Sequence, residues 1–379
     1  MAAGPVLLAV AVFCALALAL HVATILAVLW RRDRPGGRMP VPPPLVCLLR
    51  PVCGVDAFEE ETLASSFRLT YPDLDIVFCA ASADDPVVPL VRRLIAAHPR
   101  CNARLLIGED AISGNPKLNN LSKGWNGTGA EWIAMADSNV LLPPDYIETL
   151  LACWTPGTGL VTAPPEGVQA EGFWAAVECA FLNTYQARWQ LAADQCGLGF
   201  AQGKTLFWHR KVLEDAGGLA ALGRNMAEDV AATRIVRGQG LKVRLMPRPV
   251  PHPIGRRTLT EVWDRQLRWS RVRREGFFWL FVPELLNGGA FPALGAAVLA
   301  LSGAVPVAAA LGFVALWYGI EALLAARRGW RAAPVDVLAW AVRDLMLAPL
   351  WIATFARRGF VWRGTPIASD SAAHGATAE

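Results

Sequence analysis

The chain has 379 residues, of which 54% are apolar and only 18% are charged, and its formal net charge is +4. This apolar fraction is high for a protein that is soluble throughout, and so small a positive charge does not indicate a nucleic-acid partner. The apolar excess lies at the two ends, since residues 5–30 carry no charge and residues 277–326 carry only Glu284 and Glu321. The composition therefore predicts an integral membrane protein with a more polar middle.

The first predicted element is a transmembrane helix over residues 1–30. Its uncharged run would reach roughly 39 Å as a helix at about 1.5 Å per residue, which exceeds the ~30 Å hydrocarbon core. A cleaved secretory signal is the alternative, but no Lys or Arg precedes the run, and the run is too long for the apolar part of a signal. Arg31, Arg32 and Arg34 follow directly, so the positive-inside rule places the N-terminus outside and the rest in the cytoplasm. Residues 31–44, rich in Pro, Gly and Arg, are expected to be a linker.

Short apolar runs alternate with helical patterns through the predicted cytosolic domain, residues 45–275. Strands are expected at residues 45–51, 74–80, 103–108 and 131–136, and helices at 59–68 and 87–98. This alternation is typical of an α/β domain with a doubly wound, mostly parallel sheet. Ligands of such sheets bind beyond the carboxyl ends of the strands, where the strand order reverses.

The C-terminal region, residues 276–367, is expected to return to the membrane. Residues 281–326 can form a helical hairpin with a break at Ser302-Gly303. Residues 335–355 are also apolar, but three charges inside them favour an interfacial or re-entrant segment over a full span: Asp336, Arg343 and Asp344. The polar tail over 368–379 is expected to be disordered.

Three acidic motifs lie where ligands are expected. Asp84 and Asp85, the first of them, follow the second predicted strand. Asp137 follows the fourth predicted strand, and its carboxylate could hold a hard divalent cation, Mg²⁺ or Mn²⁺, together with phosphate oxygens and water. Taken alone, it is also explained as an Asp that caps the following turn. Glu228 and Asp229 open a later helix, and we expect their carboxylates to point apart, so that one acts as a general base and the other stabilises the helix N-terminus. Helix electrostatics without catalysis is the alternative for this pair.

A basic motif follows at Arg265-Gln266-Leu267-Arg268-Trp269. Two Arg at positions i and i+3 share one helix face and can hold a pyrophosphate, and the Trp can stack on a sugar or a base. A basic amphipathic helix lying on the membrane surface gives the same pattern. The two interpretations are compatible with each other.

In their order along the chain, these motifs resemble the D, D, D, (Q/R)xxRW signature of membrane-bound glycosyltransferases with the nucleotide-sugar (GT-A) fold. More narrowly, the sequence resembles the ceramide glucosyltransferases, including bacterial ones. The resemblance runs over residues 1–367 and includes the N-terminal anchor and the C-terminal apolar cluster. Each motif alone is unspecific, but their common order is specific. The matching stretches are 49–56, 84–86, 115–121, 136–139, 227–229, 265–269 and 361–364.

The resemblance implies a role for each matching residue. Asp85, or its neighbour Asp84, would contact the uracil or ribose of a UDP-sugar, and Asp137 would bind the divalent ion on the diphosphate. Asp229 would be the base that activates the acceptor hydroxyl. Arg265, Arg268 and Trp269 would complete the donor and acceptor site. Lys117, in a loop with two Asn, would reach a phosphate as a point charge.

One position departs from the wider signature. Asn139 stands where many relatives outside this family have a second Asp, which leaves one fewer carboxylate for a metal ion. We therefore expect weaker or more water-rich coordination of the cation.

The resemblance further implies an inverting transfer of a hexose, glucose from UDP-glucose, to the primary hydroxyl of ceramide. The reaction would take place on the cytoplasmic face of a bacterial inner membrane. A hopanoid glycosyltransferase that uses UDP-N-acetylglucosamine would differ only in acceptor and donor. A processive polysaccharide synthase would need more spans, for a polymer channel, than the three or four expected here. A non-catalytic membrane-binding module would need none of the acidic motifs in this order.

Overall fold

The computed structural model describes residues 3–31, 37, 39–225, 227–356, 360–362 and 365–367. Three expectations fall wholly or partly outside these residues: the linker over 31–44, the Val361-Trp362-Arg363-Gly364 motif, and the tail over 368–379.

The helices are α1 (Ala3–Leu29), α2 (Glu59–Ala64), α3 (Val87–Ala97), α4 (Pro116–Asn126), α5 (Tyr146–Cys153), α6 (Phe173–Ala180), α7 (Arg188–Gln195), α8 (Arg210–Glu214), α9 (Glu228–Gly238), α10 (Leu259–Gly276), α11 (Phe278–Phe281), α12 (Ala290–Leu301), α13 (Val307–Arg328) and α14 (Pro334–Ala353). A π-helical segment, Phe181–Ala187, joins α6 to α7, and 3₁₀ segments lie at Ser65–Arg68, Leu219–Arg224 and Val282–Leu286. The strands are β1 (Val46–Val52), β2 (Leu74–Ala80), β3 (Ala103–Ile107), β4 (Trp132–Ala136), β5 (Thr158–Thr162), β6 (Pro165–Glu171), β7 (Thr205–His209), β8 (Lys242–Leu245), β9 (Val250–Arg256), β10 (Phe360–Trp362) and β11 (Thr365–Ile367).

The chain divides into two compact units, and each is described by itself. The sheet unit comprises Arg32–Glu166, Ala193–Gly255 and Gly359–Glu379. The helical unit comprises Met1–Arg31, Gly167–Ala192 and Arg256–Arg358. The domain limits expected from the sequence stay predictions.

A seven-stranded mixed sheet forms the core of the sheet unit, in the order β3-β2-β1-β4-β7-β5-β8. The first four strands of this order run parallel, and β7 runs antiparallel to both β4 and β5. The apolar runs of the sequence form the strands because their side chains are buried in the core, as Leu48, Phe78 and Ala134 are. The predicted α/β class and the four predicted strands are confirmed, with bounds that differ by one residue at most.

The strand order locates the crevice. From β1 the chain moves to β2 and β3 on one side and returns to β4 on the other, so that the order reverses between β1 and β4. The crevice expected at such a switch point lies beyond the carboxyl ends of these two strands. Asp137 is the first residue after β4.

Three stretches of the helical unit are long and apolar enough to cross a membrane: Gly4–Leu29, Phe278–Leu301 and Val307–Arg328. The expected N-terminal membrane helix and the C-terminal hairpin are thereby confirmed as apolar helices of sufficient length. The hairpin turns after α12, where Gly303 has a left-handed φ of 74° that favours glycine. α1 packs on α12, since Cys14 Sγ lies 3.5 Å from the Pro292 carbonyl oxygen.

A buried ionic cluster joins the helices of this unit. Arg343 of α14 lies 2.7 Å from Glu321 of α13 and 2.8 Å from Asp344, and these side chains are at most 2% exposed. Arg343 also donates to Thr184 Oγ1 at 2.8 Å. Arg343 and Asp344, two of the charged residues that favour an interfacial or re-entrant segment, therefore have partners inside the protein. The expectation that this segment is interfacial or re-entrant stays a prediction.

His21 extends these contacts to the N-terminal helix. Its Nε2 lies 3.1 Å from the Trp317 carbonyl oxygen, and its ring stacks on Trp317 with centroids 4.0 Å apart. Its Nδ1 lies 2.7 Å from a guanidinium nitrogen of Arg188. α1 is thus held by polar contacts as well as by apolar packing.

Candidate active site

Lys117 lies at the centre of an ionic cluster beyond the carboxyl end of β4. Its Nζ lies 2.6 Å from Asp137 Oδ1 and 2.7 Å from Glu228 Oε1, and it donates to the Gly203 carbonyl at 2.8 Å. The Lys117 side chain is 9% exposed, whereas that of Asp137 is 26% exposed. The Asp137 carboxylate can therefore still meet a ligand from solvent.

A second lysine, which the sequence did not predict, completes the cluster. Lys204 Nζ lies 3.5 Å from Asp137 Oδ2 and donates to Asn139 Oδ1 at 2.6 Å. Lys204 precedes β7, and the antiparallel pairing of Ala136 with Thr205 brings it beside Asp137. Only this cross-strand register, which local sequence patterns do not contain, could have indicated the residue.

The two ammonium groups set the charge of Asp137. Burial alone would raise the pKa of its carboxyl, but Lys117 and Lys204 outweigh burial and lower that pKa to about 2. Burial would likewise lower the pKa of Lys117, but the carboxylates of Asp137 and Glu228 raise it above its ordinary value. Both groups are therefore ionised at neutral pH, and the cluster holds two ammonium groups beside the carboxylates of Asp137 and Glu228.

The start of α4 fixes the position of Lys117. Asn115 caps this helix, since its side chain accepts from the Lys117 backbone N–H at 2.9 Å. Pro116 occupies the first helical position, which suits its fixed φ. The expectation that Lys117 lies in a loop is wrong, because Asn followed by Pro is a helix-start signal. The Asn115 Nδ2 also donates to Glu228 Oε2 at 3.1 Å, so one residue orients both partners of the ion pair.

A buried arginine, Arg50, holds the loop that carries Asp137 and Asn139 through hydrogen bonds to its backbone. Arg50 of β1 is fully buried and donates to the carbonyls of Ser138 and Val140 at 2.9 and 3.1 Å. The Nδ1 of His252 lies 2.6 Å from the Asn139 carbonyl oxygen. The sequence signal for Arg50 was a lone charge inside an apolar strand run, because such a charge is rarely buried without partners.

Asp229 and Glu228 differ in their partners. Glu228 pairs with Lys117, while Asp229 Oδ1 accepts from the Val230 backbone N–H at 2.8 Å. The expectation that the two carboxylates point apart stays a prediction. A Cβ placed on Gly203 would lie 2.9 Å from Glu228 Oε1 and 3.8 Å from Asp229 Oδ2, so both carboxylates approach that glycine. Burial, and then the charge of Glu228, raise the pKa of Asp229 to about 7.

Asp85 lies in the loop after β2, and its carboxylate accepts hydrogen bonds from two backbone N–H groups. Its Oδ1 accepts from the backbone N–H groups of Gly54 and Val87, at 2.8 and 3.0 Å. The carboxylate thus ties the turn after β1 to the start of α3. Asp84 is exposed. Contact of either residue with a nucleoside stays a prediction.

Arg265, Arg268 and Trp269 lie on α10 in the helical unit, and each is half-buried. The guanidinium of Arg265 donates to Glu178 Oε1 at 3.1 Å, and the Glu178 side chain is fully buried. Gln266 lies beside it, with its Nε2 3.4 Å from Glu178 Oε2. Glu178 therefore holds the first arginine of the motif, and the sequence did not predict it. The roles of the three motif residues stay predictions.

The oxygen atoms of the protein near Asp137 fit a hard divalent cation that takes most of its ligands from elsewhere. Within the described part of the chain, no group of three or more His, Cys, Asp and Glu side chains converges on one point. The protein would therefore offer a cation one carboxylate, with the amide oxygen of Asn139 nearby. This set fits Mg²⁺ or Mn²⁺ when most ligands come from substrate phosphates and water.

The profile of glycosyl transferase family 21 matches residues 6–371. Ceramide glucosyltransferase 1 of Caenorhabditis elegans is 26% identical over 232 residues, which cover 61% of this chain and 50% of that protein. Ceramide glucosyltransferase of Komagataella phaffii is 38% identical over 108 residues, which cover 27% of this chain and 21% of that protein. The chain thus matches about half the length of the first relative and less of the second.

Among solved structures, the mannosyltransferase PcManGT from Pyrobaculum calidifontis, in complex with GDP-Man and Mn²⁺, resembles the chain with a TM-score of 0.52. The two are 16% identical, and the match covers 89% of this chain and 99% of that one. At this identity the likeness concerns the fold alone. It confirms the expected GT-A fold.

Proposed function

Because the chain belongs to glycosyl transferase family 21, we propose that it transfers glucose from UDP-glucose to the primary hydroxyl of ceramide. The product would be β-glucosylceramide. One observation supports this proposal above the others: two lysines, one ionised Asp and one Asp with a raised pKa meet at the carboxyl end of β4. This arrangement would combine a site for a diphosphate with a base for a hydroxyl.

The donor diphosphate would bind against Lys117 and Lys204. Its oxygens would replace part of the pairing that Asp137 now makes with the two ammonium groups, and charge-assisted contacts of this kind are strong. A divalent cation, Mg²⁺ or Mn²⁺, held by Asp137 would supply further neutralisation of the diphosphate charge. Asp85 would contact the nucleoside from the loop after β2.

Asp229 would act as the general base. It would take the proton of the acceptor hydroxyl as that oxygen forms a bond to the anomeric carbon of the sugar. The bond from this carbon to the diphosphate oxygen breaks in the same step, and UDP leaves with the bonding electron pair. A single displacement inverts the anomeric carbon, so that an α-linked donor gives a β-glycoside.

The helical unit would present the acceptor. Arg265, Arg268 and Trp269 of α10 would complete the donor and acceptor site, and the apolar helices would hold the protein at the membrane in which ceramide lies. The Arg residues after α1 favour a cytoplasmic catalytic domain. A bacterial inner membrane suits this arrangement.

The proposal is tested with the purified full chain in detergent, radiolabelled UDP-glucose, ceramide, and Mg²⁺ or Mn²⁺. We expect labelled β-glucosylceramide, and we expect its formation to stop on addition of a chelator. Parallel reactions contain a hopanoid acceptor or UDP-N-acetylglucosamine. Product in those reactions alone would overturn the proposed substrates, and no transfer with any pair would overturn the proposed activity.

Lys204→Met is expected to lower kcat/KM for UDP-glucose roughly 10- to 100-fold, because a hydrogen bond to a charged group contributes about 1.5–3 kcal/mol. Steady-state kinetics at saturating ceramide would measure this change. Lys211→Met is the matched control, since the Lys211 side chain is 72% exposed and pairs with Asp215. An unchanged kcat/KM in Lys204→Met would exclude Lys204 from the donor site.

A further inference from the structure

Each carboxylate oxygen of Asp137 already has an ammonium group of the protein beside it. Oδ1 lies 2.6 Å from Lys117 Nζ, and Oδ2 lies 3.5 Å from Lys204 Nζ. The two lysine side chains are 9% and 11% exposed, whereas the Asp137 side chain is 26% exposed. A ligand from solvent can therefore reach the carboxylate, but a metal ion that does so meets two positive charges.

The charge balance of the cluster does not compensate for this repulsion. Two ammonium groups lie beside the carboxylates of Asp137 and Glu228, so these four side chains carry no net charge. Asn139 adds only an amide oxygen, which accepts from Lys204 Nζ at 2.6 Å. Charges at such distances interact strongly at the low effective dielectric of a protein. A divalent cation that approaches Asp137 alone is therefore repelled by both lysines and gains no excess negative charge.

A diphosphate changes this balance. Its oxygens carry negative charge and can accept from the lysines in charge-assisted hydrogen bonds, which are strong. Lys204 is the partner of Asp137 that is more easily exchanged, because its contact of 3.5 Å is longer than a hydrogen bond. Lys117 is also bound to Glu228 Oε1 at 2.7 Å and to the Gly203 carbonyl at 2.8 Å. Once Lys204 contacts phosphate, the Asp137 carboxylate can take a cation whose other ligands are phosphate oxygens and water.

We propose that Lys204, together with Lys117, keeps a divalent cation from binding at Asp137 until a nucleoside diphosphate is bound. The inference rests on the proposed function, since it concerns the donor of that reaction. It gives Lys204 a role besides donor binding, because the lysine makes the cation site depend on the nucleotide. Coupling between two binding sites is reciprocal, so the cation should strengthen nucleotide binding by the same factor.

Binding of Mn²⁺ to the purified full chain, with UDP as the nucleotide and no acceptor, tests the proposal. Electron paramagnetic resonance measures the free Mn²⁺, corrected for the Mn²⁺ that UDP holds without protein. We expect UDP to lower the Kd for Mn²⁺ of the wild-type protein by about 5- to 150-fold, the usual range for coupled sites. Calorimetry should show that Mn²⁺ lowers the Kd for UDP by the same factor. An equal Kd for Mn²⁺ with and without UDP, at a site that Asp137→Asn removes, would overturn the proposal.

Two variants separate the effect of the lysine from direct contact between metal and phosphate, which couples the two ligands in any case. Lys204→Met removes one ammonium group, so without UDP its Kd for Mn²⁺ should be roughly 10-fold lower than that of the wild-type protein. Asn139→Asp adds a carboxylate of the same size and should lower the same Kd. Lys211→Met is the matched control, since this side chain is 72% exposed, and it should bind Mn²⁺ as the wild-type protein does.

The added affinity must lie at Asp137, so Asp137→Asn combined with Lys204→Met should remove it. Mn²⁺ binding without UDP that is as weak in Lys204→Met and Asn139→Asp as in the wild-type protein would overturn the inference. That result leaves the proposed function intact, because neither measurement involves sugar transfer. Absence of transfer with every donor and acceptor would instead overturn the proposed function, while cooperative binding of Mn²⁺ and UDP that depends on Lys204 would still support the inference.

Discussion

Asp229→Asn is expected to lower kcat by about 10²- to 10⁴-fold, the usual contribution of a positioned general base. The amide has the size of the carboxylate, and its oxygen can still accept from the Val230 backbone N–H at the start of α9. The fold and donor binding should therefore persist. Single-turnover transfer of labelled glucose to ceramide, beside a thermal unfolding scan, measures both properties.

The same residue predicts the pH profile. Because burial and Glu228 raise the pKa of Asp229 to about 7, the carboxylate is protonated below that pH and cannot accept a proton. The kcat/KM for ceramide should therefore fall tenfold per pH unit below about 7 and level off above it. Asp229→Asn should lose this acidic limb along with its activity.

Asp215→Asn is the control, since this Asp is exposed and pairs only at the surface with Lys211. We expect its rate and pH profile to match the wild-type protein. If Asp229→Asn keeps more than a tenth of the wild-type rate, another group takes the proton, and Glu228 is then the residue to replace next.

Arg343→Met is expected to cost about 3–5 kcal/mol of stability, the usual loss when one partner of a buried ion pair is removed. Methionine fills much of the space, but Glu321 and Asp344 would then lie buried without the guanidinium that now contacts both at 2.7 and 2.8 Å. Thr184 would also lose its donor. Thermal unfolding in detergent measures the effect as a lower midpoint.

Two further variants show whether charge or packing causes this loss. Adding Glu321→Gln and Asp344→Asn to Arg343→Met removes the uncompensated charges and should recover part of the stability. Arg256→Met is the exposed control, since Arg256 and its partner Glu171 are 89% and 59% exposed, and its midpoint should not change. A stable Arg343→Met protein would contradict the assignment of this cluster as a tie between the helices.

Much of the sheet unit could be predicted because its signals are local. The apolar runs that form β1, β2, β3 and β4 are short, bounded by turn residues, and separated by helical patterns. Asp137 could be found because it directly follows such a run. Asn115 and Pro116 carry an equally local signal for a helix start, which the expectation of a loop at Lys117 overlooks.

The remaining site residues depend on contacts between distant parts of the chain. Lys117 and Glu228 are 111 residues apart in sequence, and Lys204 and Asn139 are 65 apart. Their proximity follows from the antiparallel insertion of β7 beside β4, and no periodicity in a single segment encodes that register.

The contact between His21 and Trp317 joins residues that are 296 positions apart. At about 5–20 residues per second, a ribosome needs roughly 15–60 s to pass from one to the other. All seven strands of the large sheet are synthesised in that interval. α1 is therefore synthesised well before α12 and α13, and its contacts with those two helices can form only after the large sheet has been synthesised.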